Sequence, residues 1–303
     1  MKNKPKIAVL GGDLRQYAAA KEMGKAGFDV YAYALCVESD EAKRIYLCDG
    51  LDEALADARA LILPLPVSTD DRTLNCPAHK SSERISLEQI ISQMRSDALL
   101  FGGRIPQLMS VRAQEKGIKV FDYFLSEKLQ IKNAYITAEA AMSIAMNSLD
   151  KCLKDARVAI TGSGRISRIL SELLRRMGTN VTVAARNADV LAYSRLLGCK
   201  TLVISNKNDG EKWYAELMKG YDIIFNTVPS WLFDREFLCK ADKKMLFIEL
   251  ASAPGGIDIC AARELSSNVL WASSLPGKYA PQSAGTLIAE CVCDILEEEG
   301  VAL

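Results

Sequence analysis

A run of small and β-branched residues, Val158-Ala-Ile-Thr161, leads straight into Gly162-Ser-Gly164, and a pattern of helical period follows from Arg165 to Met177. Gly178 stops that helix, and a second apolar run, Val181 to Ala185, comes next. Strand, glycine turn, helix and strand in this order predict a βαβ unit, which commits this part of the chain to an α/β fold. In such a unit Gly162 permits the tight turn and Gly164 lets the backbone come close to a pyrophosphate. The N–H groups of the helix N-terminus then face the phosphate charge. Ser167 stands where the usual pattern has its third glycine, and serine is small enough for close helix–strand packing. The segment therefore predicts a dinucleotide site at Gly162, Ser163, Gly164, Arg165 and Ile166, with a bare structural turn as the alternative.

The motif lies in the middle of the 303 residues, so a separate body of chain precedes it. That length suits two domains. The first half alternates short apolar runs with helical patterns. Strands are expected at Lys6–Leu10, Asp29–Ala34, Ala60–Leu63, Ala98–Phe101 and Lys119–Phe121, with a helix at Tyr17–Ala26. The second half repeats the scheme with strands at Val158–Thr161, Val181–Ala185, Thr201–Ile204, Ile223–Asn226, Leu246–Glu249 and Val269–Ala272. Two Rossmann-like α/β domains with parallel sheets are the expected fold class, with the ligand cleft between them. The expected division is a substrate domain over 1–135, a long connecting helix over 136–153 and a nucleotide domain over 154–281. The C-terminal helix, 282–303, is free to pack back on the first domain.

Composition excludes several classes. Thirty-eight basic residues balance thirty-eight acidic ones, so no electrostatic footprint for nucleic acid or a membrane surface exists. No apolar stretch is long enough to span a bilayer, and the run Ile7–Leu10 behind the basic start is too short for a signal peptide. A cytoplasmic protein is expected. The nine cysteines include no C-x-x-C pair and fit reduced thiols. The one histidine, His79, lies in the loop Asn75-Cys-Pro-Ala-His-Lys80, and no ligands stand at zinc spacing, so no metal is expected.

Ligands of open α/β sheets bind at the carboxyl ends of the strands, so the residues after each strand are the candidates. After the second strand of the nucleotide domain come Arg186 and Asn187. An NAD enzyme usually places an acid there for the ribose 2′-hydroxyl, whereas Arg186 suits the 2′-phosphate of NADP. A solvated loop arginine is the bland alternative, and Asp189 lies nearby. Asn226, Thr227, Val228 and Pro229 follow the fourth strand and suit a backbone lying against the cofactor. The segments Glu249–Gly256 and Ser274–Gly285 should approach the nicotinamide end, through Ala251, Pro276 and Gly277. Lys278 is the strong cation there; it either holds a carboxylate or is an exposed loop lysine.

In the first half, Leu10-Gly-Gly-Asp-Leu-Arg-Gln16 runs from a strand through two glycines into a helix start. Gly12 lets a ligand approach, and the helix N-terminus favours an anion. Asp13 suits a helix cap. Arg15 has no evident local task, which favours it, beside Gln16, as a carboxylate clamp. Ser68 follows the third strand, and Gly102 and Gly103 follow the fourth. Thr137 and Glu139 are expected to begin the connecting helix, Glu139 being either a cap-region acid or a proton acceptor.

Five strings occur together in order: Ile7-Ala-Val-Leu-Gly-Gly-Asp-Leu-Arg-Gln16, Val158-Ala-Ile-Thr-Gly-Ser-Gly-Arg165, Asn226-Thr-Val-Pro-Ser230, Glu249-Leu-Ala-Ser-Ala-Pro-Gly-Gly256 and Leu275-Pro-Gly-Lys-Tyr-Ala-Pro-Gln-Ser-Ala-Gly285. With them the chain resembles, over nearly its whole length, the A subunits of dipicolinate synthase from spore-forming bacteria. The Gly-Gly-Asp-x-Arg-Gln start is the specific part. The resemblance implies an oxidoreductase that converts dihydrodipicolinate, a lysine-pathway intermediate, to pyridine-2,6-dicarboxylate with NADP. It implies as partner a flavoprotein-like B subunit, in the cytoplasm of the mother cell during sporulation, and leaves a homo-oligomer open.

Such a reaction needs both substrate carboxylates held and a ring C–H presented to the nicotinamide. The implied roles are Arg15 for one carboxylate, the Gly102 and Gly103 amides or Ser68 for the other, and Asp13 or Glu139 as base. Two other readings compete. A 2-hydroxyacid-type dehydrogenase usually carries a histidine near the nicotinamide, and Val269–Gly285 contains none. An NADP-binding, non-catalytic subunit of a complex also fits a chain with few acid–base residues.

Overall fold

The computed structural model describes residues 5–35, 44–77, 84–204, 212–218 and 220–301. His79 lies outside them. The chain divides into two compact units, Met1–Asn133 with Pro276–Leu303, and Ala134–Leu275.

The first unit holds β1 (Lys6–Leu10), α1 (Leu14–Lys25), β2 (Asp29–Tyr33), β3 (Ile45–Leu47), α2 (Leu51–Leu55), β4 (Ala60–Ile62), α3 (Leu87–Gln93), β5 (Leu99–Gly102), α4 (Gln107–Glu115) and β6 (Lys119–Asp122). The helix α5 (Glu127–Ser148) starts in it and continues into the second unit. There follow β7 (Arg157–Thr161), α6 (Arg165–Arg176), β8 (Asn180–Ala185), α7 (Leu191–Leu196), β9 (Lys200–Val203) and α8 (Lys212–Leu217). Then come β10 (Ile223–Asn226), α9 (Arg235–Lys240), β11 (Leu246–Glu249), α10 (Ile259–Glu264) and β12 (Val269–Trp271). The helices α11 (Leu275–Tyr279) and α12 (Pro281–Glu298) close the chain.

Each unit carries one parallel six-stranded sheet, ordered β3-β2-β1-β4-β5-β6 in the first and β12-β11-β10-β7-β8-β9 in the second. Both faces of each sheet are covered, so successive strand residues are apolar. Ile7 and Val9 enter one core cluster, Ala8 and Leu10 the other. Val158 and Ile160 face one core of the second unit, and Ala159 faces the opposite one. The strand order reverses beside β1 in one sheet and beside β7 in the other, the positions where α/β sheets open a crevice at their carboxyl ends. The two glycine motifs sit at these two switch points.

Three expectations need correction. The sheet of the first unit has a sixth strand, β3, a three-residue edge element paired with β2. The long helix spans Glu127–Ser148, not 136–153. Its first turn is capped by Ser126, whose Oγ accepts the Leu129 N–H at 3.3 Å, and Leu153 falls in a separate 3-10 turn. The segment after β12 is helical over Leu275–Tyr279 rather than a plain loop.

The C-terminal helix α12 packs on α1. Gly285 makes this possible: a Cβ there would stand 2.5 Å from Ala18 Cβ and 2.8 Å from the Ala19 nitrogen. Ile288, Ala289, Val292 and Leu296 complete the core cluster begun by Ile7 and Val9. No helix among the described residues is long and apolar enough to cross a membrane.

Candidate functional site

In the second unit, Gly162 takes φ +103, a left-handed value that favours glycine, and a Cβ there would strike Thr227 Oγ1. Its N–H donates to Ala184 O at 2.8 Å. Ser167 is buried and its Oγ donates to Gly162 O at 2.8 Å, so the serine ties the helix to the turn. Gly164 is the N-cap of α6 and offers no side chain to the first-turn N–H groups. A Cβ at Gly164 would meet nothing within 4 Å. Ser163 and Ile166 are half-buried and Arg165 is exposed. An open cap, a glycine turn and an uncovered approach fit a nucleotide pyrophosphate. Arg186 and Asn187 follow β8 and are exposed; Asn187 Oδ1 accepts the Asp189 N–H at 2.8 Å, which shapes the turn.

The segments after β10 and β11 are tied together from beneath. Asn226 is fully buried, and its Nδ2 donates to Glu249 Oε1 at 2.8 Å and to Val228 O at 3.0 Å. Its Oδ1 accepts from Thr161 Oγ1 at 2.6 Å and from the Val228 N–H at 3.2 Å. Glu249, also fully buried, accepts the N–H groups of Ala251 at 2.9 Å and Gly256 at 2.8 Å. Thr227 donates its hydroxyl to Thr161 O at 2.7 Å. Burial pushes the Glu249 carboxyl up, against these donors, which favour the anion. Pro229 is exposed and Val228 half-buried. Glu249 and Thr161 carry this network, and residue spacing holds no signal for either. An acid at a strand end reads as a solvated residue until its partner, one strand away, is known.

In the first unit the strand ends are laced by main-chain bonds. The Gly12 N–H donates to Asn75 O at 2.8 Å, Asn75 N–H to Val67 O at 2.8 Å, Val67 N–H to Gly103 O at 2.9 Å and Gly103 N–H to Pro64 O at 3.2 Å. The Gly12 and Gly103 amides are therefore spent internally, which corrects the assignment of the Gly103 amide to a substrate carboxylate. Gly102 and Gly103 are needed for room: a Cβ at Gly102 would lie 2.6 Å from Val67 Cγ2, and one at Gly103 2.6 Å from Leu65 Cδ1. Ser68 is buried, and its hydroxyl donates to Asp70 Oδ1 at 3.0 Å, inside a turn held by that carboxylate.

Pro64 and Pro66 have no N–H to give, and side chains take up the carbonyls around them. Gln16 Nε2 donates to Ile62 O at 2.9 Å, Tyr123 Oη to Leu63 O at 2.9 Å and Arg15 Nη2 to Leu65 O at 2.7 Å. Arg15 is also paired with Asp13, the N-cap of α1, through Nε and Nη2. It thus has a local task, contrary to expectation; its Nη1 carries no hydrogen bond among the described residues. Gly277 rests on this pair, since a Cβ there would lie 2.7 Å from both Arg15 Nε and Asp13 Oδ2. The structure so brings Gly277, read from the sequence as a cofactor residue, against Asp13 and Arg15. Pro276 beside it is buried, and Lys278 is exposed at the end of α11. Thr137 and Glu139 do not begin a helix: both lie well inside α5, in the second unit, with Thr137 buried and Glu139 exposed.

Residues 6–124 match the family model for the N-terminal domain of the dipicolinate synthase A subunit. This chain is similar to the dipicolinate synthase A subunits. It is 27% identical to the one from Bacillus subtilis (strain 168) over 297 residues, 97% of this chain and 96% of the other. The crystal structure of the Bacillus subtilis protein superposes with a TM-score of 0.80 at 26% identity, covering 98% of this chain and 97% of that one. The counterpart from Bacillus halodurans gives 0.80 at 21% identity, with 96% and 97% covered. A transhydrogenase from Sinorhizobium meliloti shares the fold at 16% identity, with a TM-score of 0.62 and 97% and 94% covered.

Proposed function

We infer that this chain is the oxidoreductase subunit that converts dihydrodipicolinate to dipicolinate with NADP. The observation that carries the reading is the pairing, within one chain similar end to end to a dipicolinate synthase A subunit, of two kinds of strand-end site. One is an open glycine turn with a cationic residue after the next strand; the other is a guanidinium held ready at a helix start.

A nicotinamide bound by the second unit would accept a hydride, two electrons with one proton, from a ring carbon of the substrate. A second ring proton leaves to a base or to water. The products are aromatic pyridine-2,6-dicarboxylate, reduced cofactor and one proton, and aromatisation supplies much of the driving force. The residues of the chain then have chiefly to bind and orient. Gly162, Gly164 and the first turn of α6 receive the pyrophosphate, and Arg186 receives the 2′-phosphate. Asn226, Thr227, Val228, Pro229 and Ala251 present a rigid edge to the rest of the cofactor. In the first unit Arg15, through Nη1, and Lys278 are the cations for the substrate carboxylates, with Gly12, Gln16 and Ser68 shaping the pocket floor. Asp13 already accepts from Arg15, so the proton goes to water, with Asp13 or Glu139 as the side-chain alternatives.

The test is formation of NADPH and dipicolinate from freshly made dihydrodipicolinate and NADP⁺, with and without a B subunit. Matched product and NADPH above the spontaneous rate are expected. Absence of NADPH in both mixtures, with cofactor bound, overturns the reading. It favours a non-catalytic nucleotide-binding subunit, which the neutralisation of Asp13 by Arg15 would also suit.

A further inference from the structure

Glu249 is a carboxylate with no exposed surface, at the carboxyl end of β11. Among the described residues no lysine or arginine pairs with it. The groups that hydrogen-bond to it are donors: Asn226 Nδ2 and the N–H groups of Ala251, Gly256 and Ile257. These donors favour the anion, which accepts from all of them, against burial, which pushes the carboxyl up. Burying a charge without a counter-ion is unfavourable, even when dipoles solvate it. Holding the loops after β10 and β11 does not require a charge, because a neutral acceptor would serve.

The position of the charge suggests what it is for. The sheet order is β12-β11-β10-β7-β8-β9, with the glycine turn after β7 and Arg186 after β8. A dinucleotide with its phosphates at the β7 turn and its 2′-phosphate toward β8 must run its other end across β10 and β11. Glu249 lies beneath that end. It is linked through Asn226 to Thr161, the residue before Gly162. The ring carried at that end is cationic when oxidised and neutral when reduced.

We propose that Glu249 is a built-in counter-charge that makes the nucleotide site favour the oxidised, cationic form of the nicotinamide over the reduced form. This rests on the nucleotide-binding reading above and deepens it. A site biased in this way keeps NADP⁺ and lets NADPH go, the direction that an aromatising oxidation needs. Glu249 acts through space and through Asn226, without touching the reacting atoms, so it is a positioning and electrostatic residue.

The experiment measures the dissociation constants of NADP⁺ and NADPH separately, by calorimetry, for the full chain and for Glu249→Gln and Glu249→Asp. The wild type binds NADP⁺ more tightly than NADPH. In Glu249→Gln the ratio moves toward NADPH by on the order of tenfold, the worth of one charge pair about 12 Å apart at an effective dielectric of about 20. Glu249→Asp keeps the charge and keeps the preference, even where both affinities fall. Loss of packing alone lowers both affinities together and leaves their ratio unchanged, and that result overturns the proposal. A wild type that binds NADPH as tightly as NADP⁺ overturns it too, whether or not the glutamine variant folds. A wild type that binds neither nucleotide removes the functional reading itself.

Discussion

Arg15 and Asp13 meet side-on, with Nε 2.9 Å from Oδ1 and Nη2 2.8 Å from Oδ2. The acid that caps α1 thus also fixes the guanidinium two residues later, and the helix start and the cationic group form one rigid piece. Arg15→Ala should raise KM for the dicarboxylate sharply while leaving the dissociation constant of the cofactor unchanged. Asp13→Ala should move KM the same way and cost about 0.5–2 kcal/mol of stability from the lost cap. Steady-state kinetics and urea unfolding check both; an unchanged KM in Arg15→Ala sinks the assignment.

Gly277 sets the closeness of α11 to this pair. In Gly277→Ala the new methyl group would sit 2.7 Å from Arg15 Nε and from Asp13 Oδ2. Neither side chain can retreat without breaking its bonds. We expect KM for the substrate to rise several-fold with a small change in Tm, read by kinetics and calorimetry. A KM equal to wild type would mean that the pair does not face the substrate.

Arg186 stands exposed at the end of β8. If it receives the 2′-phosphate, its charged hydrogen bonds are worth about 1.5–3 kcal/mol. Arg186→Ser should then lower the preference for NADP over NAD by on the order of tenfold to a hundredfold. Competition binding with both nucleotides decides this, and an unaltered ratio would return Arg186 to the solvent.

Gly285 admits the backbone of α1 to α12. Gly285→Ala forces a methyl group to within 2.5 Å of Ala18 Cβ, so the helices must part. The expected loss is about 1–3 kcal/mol. Thermal unfolding of the variant measures it, and a stability equal to wild type would show that the helices adjust freely.

Asp222 joins the starts of β7 and β10 through Lys151 Nζ at 2.7 Å and the Arg157 N–H at 2.7 Å. Partial burial works against its anion, but the Lys151 and Arg157 bonds outweigh it and hold the carboxyl below the usual range. A depressed folded value means stability that is present above the ordinary carboxylate range and lost as pH falls through the depressed one. Asp222→Asn should flatten that part of the acid limb. Urea midpoints across the acid range compare the two proteins, and parallel curves would count against the linkage.

The two sheets were legible because strands covered on both faces are continuous apolar runs, and glycines mark their ends. β3 was not, because Ile45-Tyr46-Leu47 is short, lies at an edge and exposes Tyr46 and Leu47. The first turns of α5 were hidden by mixed charge. Lys128 and Lys132 find Asp294 and Glu290 on α12, partners distant in sequence. The glycine turn of the second unit could be read locally, since its geometry depends on adjacent residues. The bonds of Arg15 could not, because Leu65 and Gly277 reach it from other parts of the chain. Glu249 is the same case, with Asn226 as the distant partner.

The core of the first unit takes Ile288, Ala289, Val292 and Leu296 from the far end of the chain. A ribosome delivers β1 to β6 early and α12 last, whereas the second unit, Ala134–Leu275, is contiguous and complete before then. At ordinary elongation rates the apolar side of α1 stays bare for roughly ten to thirty seconds while the second unit is made. The half of the molecule that is born first is the last to close, and a chaperone that shields α1 during translation would act on this interval.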